Sequence, residues 1–319
     1  MHTSHCFNVV FGIGVAILPA GALLAQDYPN KPVRIVTGSP GSAAEYPVRI
    51  IAPALTSAMG QPFIVDNRPS GVIPGDTVAK SKPDGYTLLL YGGTFWIGPL
   101  MEKTPYDPVA DFSPVTIVVR SPAVLVIHPS LPVKTVRDLI ALAKARPGEL
   151  NYASSAFGAS THLAMELFNS MAGVNIVRIP YKGGGAALTA LLAGEVQLTF
   201  NTGASVTPQL RSGRLKGLAI TTAQPSALFP GLPTVAATLP GYEASATYAM
   251  FAPVKTPAAI IARLHQEVVR AINTAEIREK LLDVGLEIVG SSPEELASVM
   301  KSEMVRLGKV IKDAGIRTN

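Results

Sequence analysis

The sequence predicts an α/β fold of two lobes, each a mainly parallel sheet flanked by helices. Short β-branched runs alternate with helix-like segments over most of the chain, the pattern of βα units. Pro-rich punctuation falls at 104–108, around Pro122 and again at 230–241, which places the passages between lobes there. Roughly 290 residues follow an apolar leader, enough for one large domain or two medium ones. The expected division is a leader at 1–25, a first lobe at 26–122, a second lobe at 123–241 and a return to the first lobe at 242–319. Two crossing segments make a hinge, and a cleft between two α/β lobes is a common place for a small ligand.

The leader reads as an export signal. Its apolar run from Val9 to Leu24 carries no Lys, Arg, Asp or Glu and is broken by Gly12, Gly14, Pro19 and Gly21, too short and interrupted for a retained span. Ala20-Gly21-Ala22 best fits the small-x-small cleavage rule, with Ala25 as a later site. His2 and His5 stand where Lys or Arg is usual. Cleavage would leave a soluble exported protein. The only cysteine, Cys6, lies in this leader, so the mature chain forms no disulfide and its core must hold it together.

Candidate strands are 33–37, 63–65, 87–91, 124–127, 176–179, 196–200, 217–221 and 249–252, each short and rich in β-branched or apolar residues. The intervening helices are amphipathic. In 135–146, Val136, Leu139, Ile140 and Ala143 recur at helical spacing and Pro147-Gly148 stops the run. In 256–272, Pro257 stands at a first-turn position and Ile260, Ile261, Leu264, Val268 and Ile272 share one side. The last helix opens on Ser292-Pro293-Glu294-Glu295, a capping box, and runs to about Ala314 before Gly315.

The formal charge of +5 belongs to the mature chain and mildly favours anionic ligands. The basic residues form no stripe interleaved with aromatics, so no nucleic-acid partner is expected. The mature histidines, His128, His162 and His265, are far apart in sequence, so neither a metal nor a cofactor is expected. No nucleophile, base and orienting partner assemble from the motifs, which disfavours an enzyme.

Two turns stand out as anion cradles. The turn after the first strand, 37–45, leads into a helix and offers the amides and side chains of Ser39, Gly41, Ser42, Ala43 and Ala44. A helix start presents free N–H groups and the positive end of its dipole, so it holds a carboxylate without a cation. The contacts are expected chiefly from the amides of Ser42 to Ala44, with Glu45 facing away to brace the loop. A tight βα turn of small residues is the alternative. The second turn, 154–162, sets Ser154, Ser155, Phe157, Ser160 and Thr161 at the mouth of another helix, with Ser160 as its cap. Gly93, Thr94 and Phe95 follow a third strand, where Phe95 or Trp96 could wall an apolar ligand body, and Asn201 ends another. His162 reads as structural.

Several strings resemble the Bug-type receptors, the extracytoplasmic solute-binding proteins of tripartite tricarboxylate transporters. They include Tyr28-Pro29-x-Lys31-Pro32-Val33, Val65-Asp66-Asn67-Arg68-Pro69, Pro83-Asp84-Gly85-Tyr86-Thr87, Leu150-Asn151-Tyr152-Ala153-Ser154, Pro180-Tyr181-Lys182-Gly183 and Pro240-Gly241-Tyr242-Glu243. The resemblance covers nearly the whole mature chain. It implies a two-lobed periplasmic binding protein of the Venus-flytrap kind, type II-like, that holds a small organic acid between its lobes through the same two turns. It further implies delivery to the integral-membrane permease subunits of such a transporter, or alternatively a ligand-sensing receptor that docks a membrane sensor. The first turn departs from the family's Pro-Phe-Pro-Pro-Gly-Gly-Gly-Thr-Asp, losing the aromatic, two glycines and the threonine. Tricarboxylate or dicarboxylate identity does not carry over, and Phe157, Phe95 and Trp96 hint at a more apolar acid.

Overall fold

The computed structural model describes residues 28–154 and 158–316. The leader at 1–25 therefore lies outside the described residues. The first sheet is built from β1 (Val33–Thr37), β2 (Phe63–Asn67), β3 (Thr87–Gly92), β4 (Phe112–Ser121), β10 (Ala246–Pro253) and β11 (Glu287–Ile288), in the order β11-β4-β10-β3-β1-β2. The second holds β5 (Ala123–Ile127), β6 (Asn151–Ser154), β7 (Val177–Pro180), β8 (Leu198–Thr202) and β9 (Lys216–Ile220), in the order β7-β6-β8-β5-β9. The chain passes from the first sheet to the second across Pro122 and returns between Ile220 and Ala246.

Each sheet keeps a parallel βα part and adds antiparallel strands where the chain crosses. β1 pairs parallel with β2 and β3, and β6 pairs parallel with β7 and β8. β10, arriving from the second sheet, lies antiparallel to both β3 and β4, and β5 lies antiparallel to β8 and β9. The sheets are thus mixed, because the crossing strands enter without the helical crossover that a parallel pair needs. β4 escapes the sequence pattern because Pro114 interrupts its apolar run. Pro114 stands opposite Phe251 beside a register shift, the place where a strand tolerates a missing N–H.

The helices follow the apolar spacing. α1 (Glu45–Met59) buries Val48, Ile51, Leu55 and Met59 and ends at Gly60 with φ +71, a left-handed cap. α2 (Ile73–Ala79) and the short α3 (Thr94–Ile97) complete the first part of this unit. α4 (Val136–Ala145), α5 (Ser160–Ala172), α6 (Gly184–Leu192) and α7 (Gly203–Arg211) flank the second sheet, and α8 (Ala258–Ile272), α9 (Ala275–Asp283) and α10 (Pro293–Asp313) follow the return. The capping box at Ser292 is present in both directions, with Glu295 N–H donating to Ser292 Oγ at 3.1 Å and Ser292 N–H to Glu295 Oε2 at 2.8 Å.

Tyr242 ties the returning chain to the second unit. It is fully buried, stacks on Phe200 at 6.2 Å and donates its hydroxyl to Ala164 O at 2.9 Å. An aromatic cluster of Phe95, Trp96, Tyr106, Phe112 and Phe251 fills the first unit under α3.

Candidate functional site

A cleft of about 210 Å³ opens between the two sheet units. One wall is the turn Ser42, Ala43 and Ala44 with the end of β3 and the start of α3. The other is the face of α5 at Ser160, Leu163 and Ala164, and the floor is the return segment from Glu243 to Tyr248 with Glu303, Arg306 and Leu307 of α10.

The turn after β1 is held from outside the cleft. Ser39 N–H donates to Ser70 Oγ at 3.1 Å, Ser70 N–H returns to Ser39 Oγ at 3.0 Å, and Asn67 Nδ2 donates to Gly38 O at 2.8 Å. Gly38 sits in a tight space, since a Cβ there would lie 2.8 Å from Ser42 Oγ and 3.2 Å from the Tyr91 ring and would force these side chains to shift. Glu45 faces away from the cleft and braces the loop. It accepts the Gly41 N–H and the Arg49 Nε–H, the latter at 2.6 Å. The Gly41 N–H, together with the Arg49 hydrogen bond and charge, holds its carboxyl below the ordinary range against the opposing effect of burial.

Which donors remain differs from the sequence reading at Ser42. Its N–H closes a turn on Ser39 O at 3.0 Å, so that amide is spent. Among the described residues, the N–H groups of Ala43 and Ala44 donate to no chain atom, and Ser42 Oγ is buried without a partner. The unspent donors at the start of α1 are therefore two amides and one hydroxyl.

The second turn is partly described, and Ser155 and Phe157 lie outside the described residues. Gly158 N–H donates to His162 Nδ1 at 2.9 Å. Ser160 lines the cleft, but it is the first residue of α5 and does not cap it. Ala159 occupies the cap position with no side-chain bond, because the extended residue at φ −61, ψ 155 is one earlier than the spacing suggested. Ser154 is buried at the end of β6, and Thr161 is half-buried on α5; neither lines the cleft.

Of the remaining sequence candidates, Gly93 and Thr94 line the cleft. Ser39 and Gly41 are turned to the loop's own bonding. Phe95 does not wall the cleft: it is 1% exposed and stacks on Tyr106 inside the aromatic cluster. Trp96 is equally buried. Asn201 is spent within the second unit, donating to Gly184 O at 3.1 Å and accepting from Thr202 N–H at 2.8 Å. The apolar wall attributed to Phe95 and Trp96 comes from Tyr91, Ile97, Leu163, Tyr248 and Leu307.

The sequence reading missed the floor. Trp96 Nε1–H donates to Glu303 Oε2 at 2.8 Å, and Arg120 lies 3.6 Å from Glu243. Burial pushes the Glu303 carboxyl up, while the Trp96 N–H and the charges of Arg306 and Arg120 oppose that rise. One readable signal was present. Leu296, Met300 and Leu307 are buried along α10, and Glu303 falls on the same stripe, where a charge needs a reason. No group of His, Cys, Asp or Glu among the described residues is arranged to hold a metal ion, and no helix among them is long and apolar enough to cross a membrane.

Comparison with known proteins gives this cleft a context. The model of the "Tripartite tricarboxylate transporter family receptor" matches residues 48–316. Protein BugT of Bordetella pertussis is 36% identical over 315 residues, covering 96% of this chain and 97% of that protein. Rpa4515 of R. palustris, solved with adipate, is 37% identical with a TM-score of 0.75, covering 91% of this chain and 99% of that one. MatC from Rhodopseudomonas palustris, solved with bound malate, is 27% identical with a TM-score of 0.71, covering 89% and 100%. The two-sheet architecture is that of two-lobed periplasmic binding proteins. A family match over most of the chain and relatives alike from end to end agree with the cleft between two units, and the chain belongs to the Bug-type receptors of the tripartite tricarboxylate transporter family.

Proposed function

We propose that this protein is an exported solute receptor that captures a small organic acid between two lobes and delivers it to the permease subunits of a tripartite tricarboxylate-type transporter. The observation that carries this is the cradle at the cleft wall: two unspent amides and a buried, unpartnered hydroxyl at a helix start, with Ser160 on the opposite wall. Such donors hold a carboxylate without a counter-charge. The lobes are 26–122 with 242–319, and 123–241, a division supported by the change of sheet at Pro122 and the return before Ala246. Adipate and malate in the related structures support a carboxylate ligand. The leader at 1–25, cleaved on export, suits a family of periplasmic receptors.

Small-angle scattering tests the capture. Mass spectrometry of acid released by denaturing freshly purified protein identifies a ligand, and adding that acid to the emptied protein is expected to compact it. An unchanged radius at saturation counts against closure of the lobes. Ser42→Ala tests the cradle: losing a hydroxyl bond to a charged ligand is expected to cost about 1.5–3 kcal/mol, roughly ten- to a hundredfold in affinity by calorimetry. Wild-type affinity in that variant removes the hydroxyl from the site.

A further inference from the structure

The floor of the cleft carries more polar chemistry than an acid held by one end requires. Ser245 Oγ and Arg306 Nε are buried without a hydrogen-bond partner, and both residues line the cleft. Glu303 lines it too, beside Gly93, where a Cβ would lie 3.7 Å from Glu303 Oε2. Trp96 occupies one Glu303 oxygen, and among the described residues no ion pair within 4 Å joins Glu303 to Arg306. A guanidinium and a carboxylate thus face one cavity without satisfying each other, next to an idle hydroxyl.

We propose that Arg306, Glu303 and Ser245 read the far end of the bound acid, and that they select a neutral group that both donates and accepts hydrogen bonds, such as a carboxamide, over a second carboxylate. This rests on the reading that the cradle at Ser42 to Ala44 holds the first carboxylate.

Charge decides between the two head groups. Glu243 is offset by Arg120 at 3.6 Å, and Glu303 and Arg306 of α10 bring one charge of each sign to the same cavity, so the floor presents no net positive charge. A second carboxylate would meet one guanidinium and repel one buried carboxylate, at the low effective dielectric where such repulsion is strongest. A carboxamide offers its C=O to the guanidinium and its N–H to the carboxylate, and leaves both satisfied. Between the poles, Ile97, Leu163 and Leu307 surround the ligand body with apolar surface, which favours a methylene or ring-bearing chain.

Calorimetry with isosteric pairs is the test: succinamate against succinate, glutaramate against glutarate and adipamate against adipate, with butyrate, valerate and hexanoate as headless controls. In the pair whose length fits, the monoamide is expected to bind at least about tenfold more tightly than the diacid at neutral pH, a difference of about 1.4 kcal/mol. Glu303→Gln keeps the shape and removes the repulsion, so it is expected to bring the pair close to parity. Ser245→Ala, which adds no charge and little strain, is expected to weaken the monoamide several-fold and leave the headless acid unchanged. A diacid that binds as tightly as its monoamide in the wild type overturns the proposal, as does a preference that Glu303→Gln leaves intact. Headless acids binding as tightly as either partner show that the cradle works and the floor reads nothing. Failure of every acid to bind overturns the receptor reading itself, and this inference with it.

Discussion

Phe95→Ala is expected to destabilise the protein by about 3–5 kcal/mol and to leave acid binding unchanged in the fraction that remains folded. Phe95 is 1% exposed and touches four rings, with centroids at 4.7 Å to Phe112, 5.0 Å to Phe251, 5.1 Å to Tyr106 and 6.4 Å to Trp96. Removing it deletes the transfer free energy of a whole ring and leaves a cavity between side chains carried by two strands, a loop and a helix turn, which cannot all collapse inward. Edge-to-face contacts add to that loss. Trp96 is the only tryptophan in the chain, so its fluorescence reports the cluster directly during urea unfolding. Phe95→Leu is expected to lose much less, because it refills most of the volume. A variant with near-normal stability and a large loss of affinity would put the ring in the cleft and restore the role the sequence suggested for it.

Phe95 also marks where sequence reading stops. Size and apolarity at 95 and 96 were legible, but direction was not. The single turn Thr94–Ile97 rotates both rings under the sheet and leaves Gly93 and Thr94 on the cleft side. Local signals are legible where one segment determines them. The β-branched run at Val33–Thr37 is β1, and Ser292 with Glu295 caps α10 as the spacing requires. The turn between β1 and α1 was legible for the same reason, since a strand, a small-residue turn and a helix start are one contiguous stretch. Its chemistry was only half legible. The bond from Ser42 N–H to Ser39 O that spends one amide, and the isolation that leaves Ser42 Oγ idle, depend on the folded turn. The floor lay further out of reach. Ser245 and Arg306 are brought to the same cavity by a return strand and a terminal helix, and no spacing rule joins them to residue 42. Glu303 alone left a trace, as a carboxylate on an apolar stripe.

Acidification from pH 6.5 to about 4 is expected to cost the wild type up to about 3 kcal/mol of stability that a His162→Gln variant does not lose. His162 is 2% exposed, and burial, assisted by the positive charge of Arg178, pushes its pKa down from 6.5 to about 4. Glu166 Oε1 lies 3.9 Å from Nε2, beyond hydrogen-bond reach, and already accepts the Tyr152 hydroxyl. The sign follows from proton counting. In the unfolded chain the imidazole takes up its proton near pH 6.5, whereas in the folded chain it stays neutral until about pH 4. Across that window the unfolded state binds more protons, so stability falls as pH falls, and below it both states are protonated and the slope from this group vanishes. The neutral ring has a structural task, because Nδ1 accepts the Gly158 N–H at the turn before α5. Gly158 is held at φ +72, and a Cβ there would meet Met101 Sδ at 2.8 Å, so glycine suits that position. Urea melts at intervals between pH 4 and 7 give the slope, and the difference between wild type and variant isolates the part that belongs to His162. Parallel slopes in the two proteins would assign the acid sensitivity to other groups and leave His162 as packing alone.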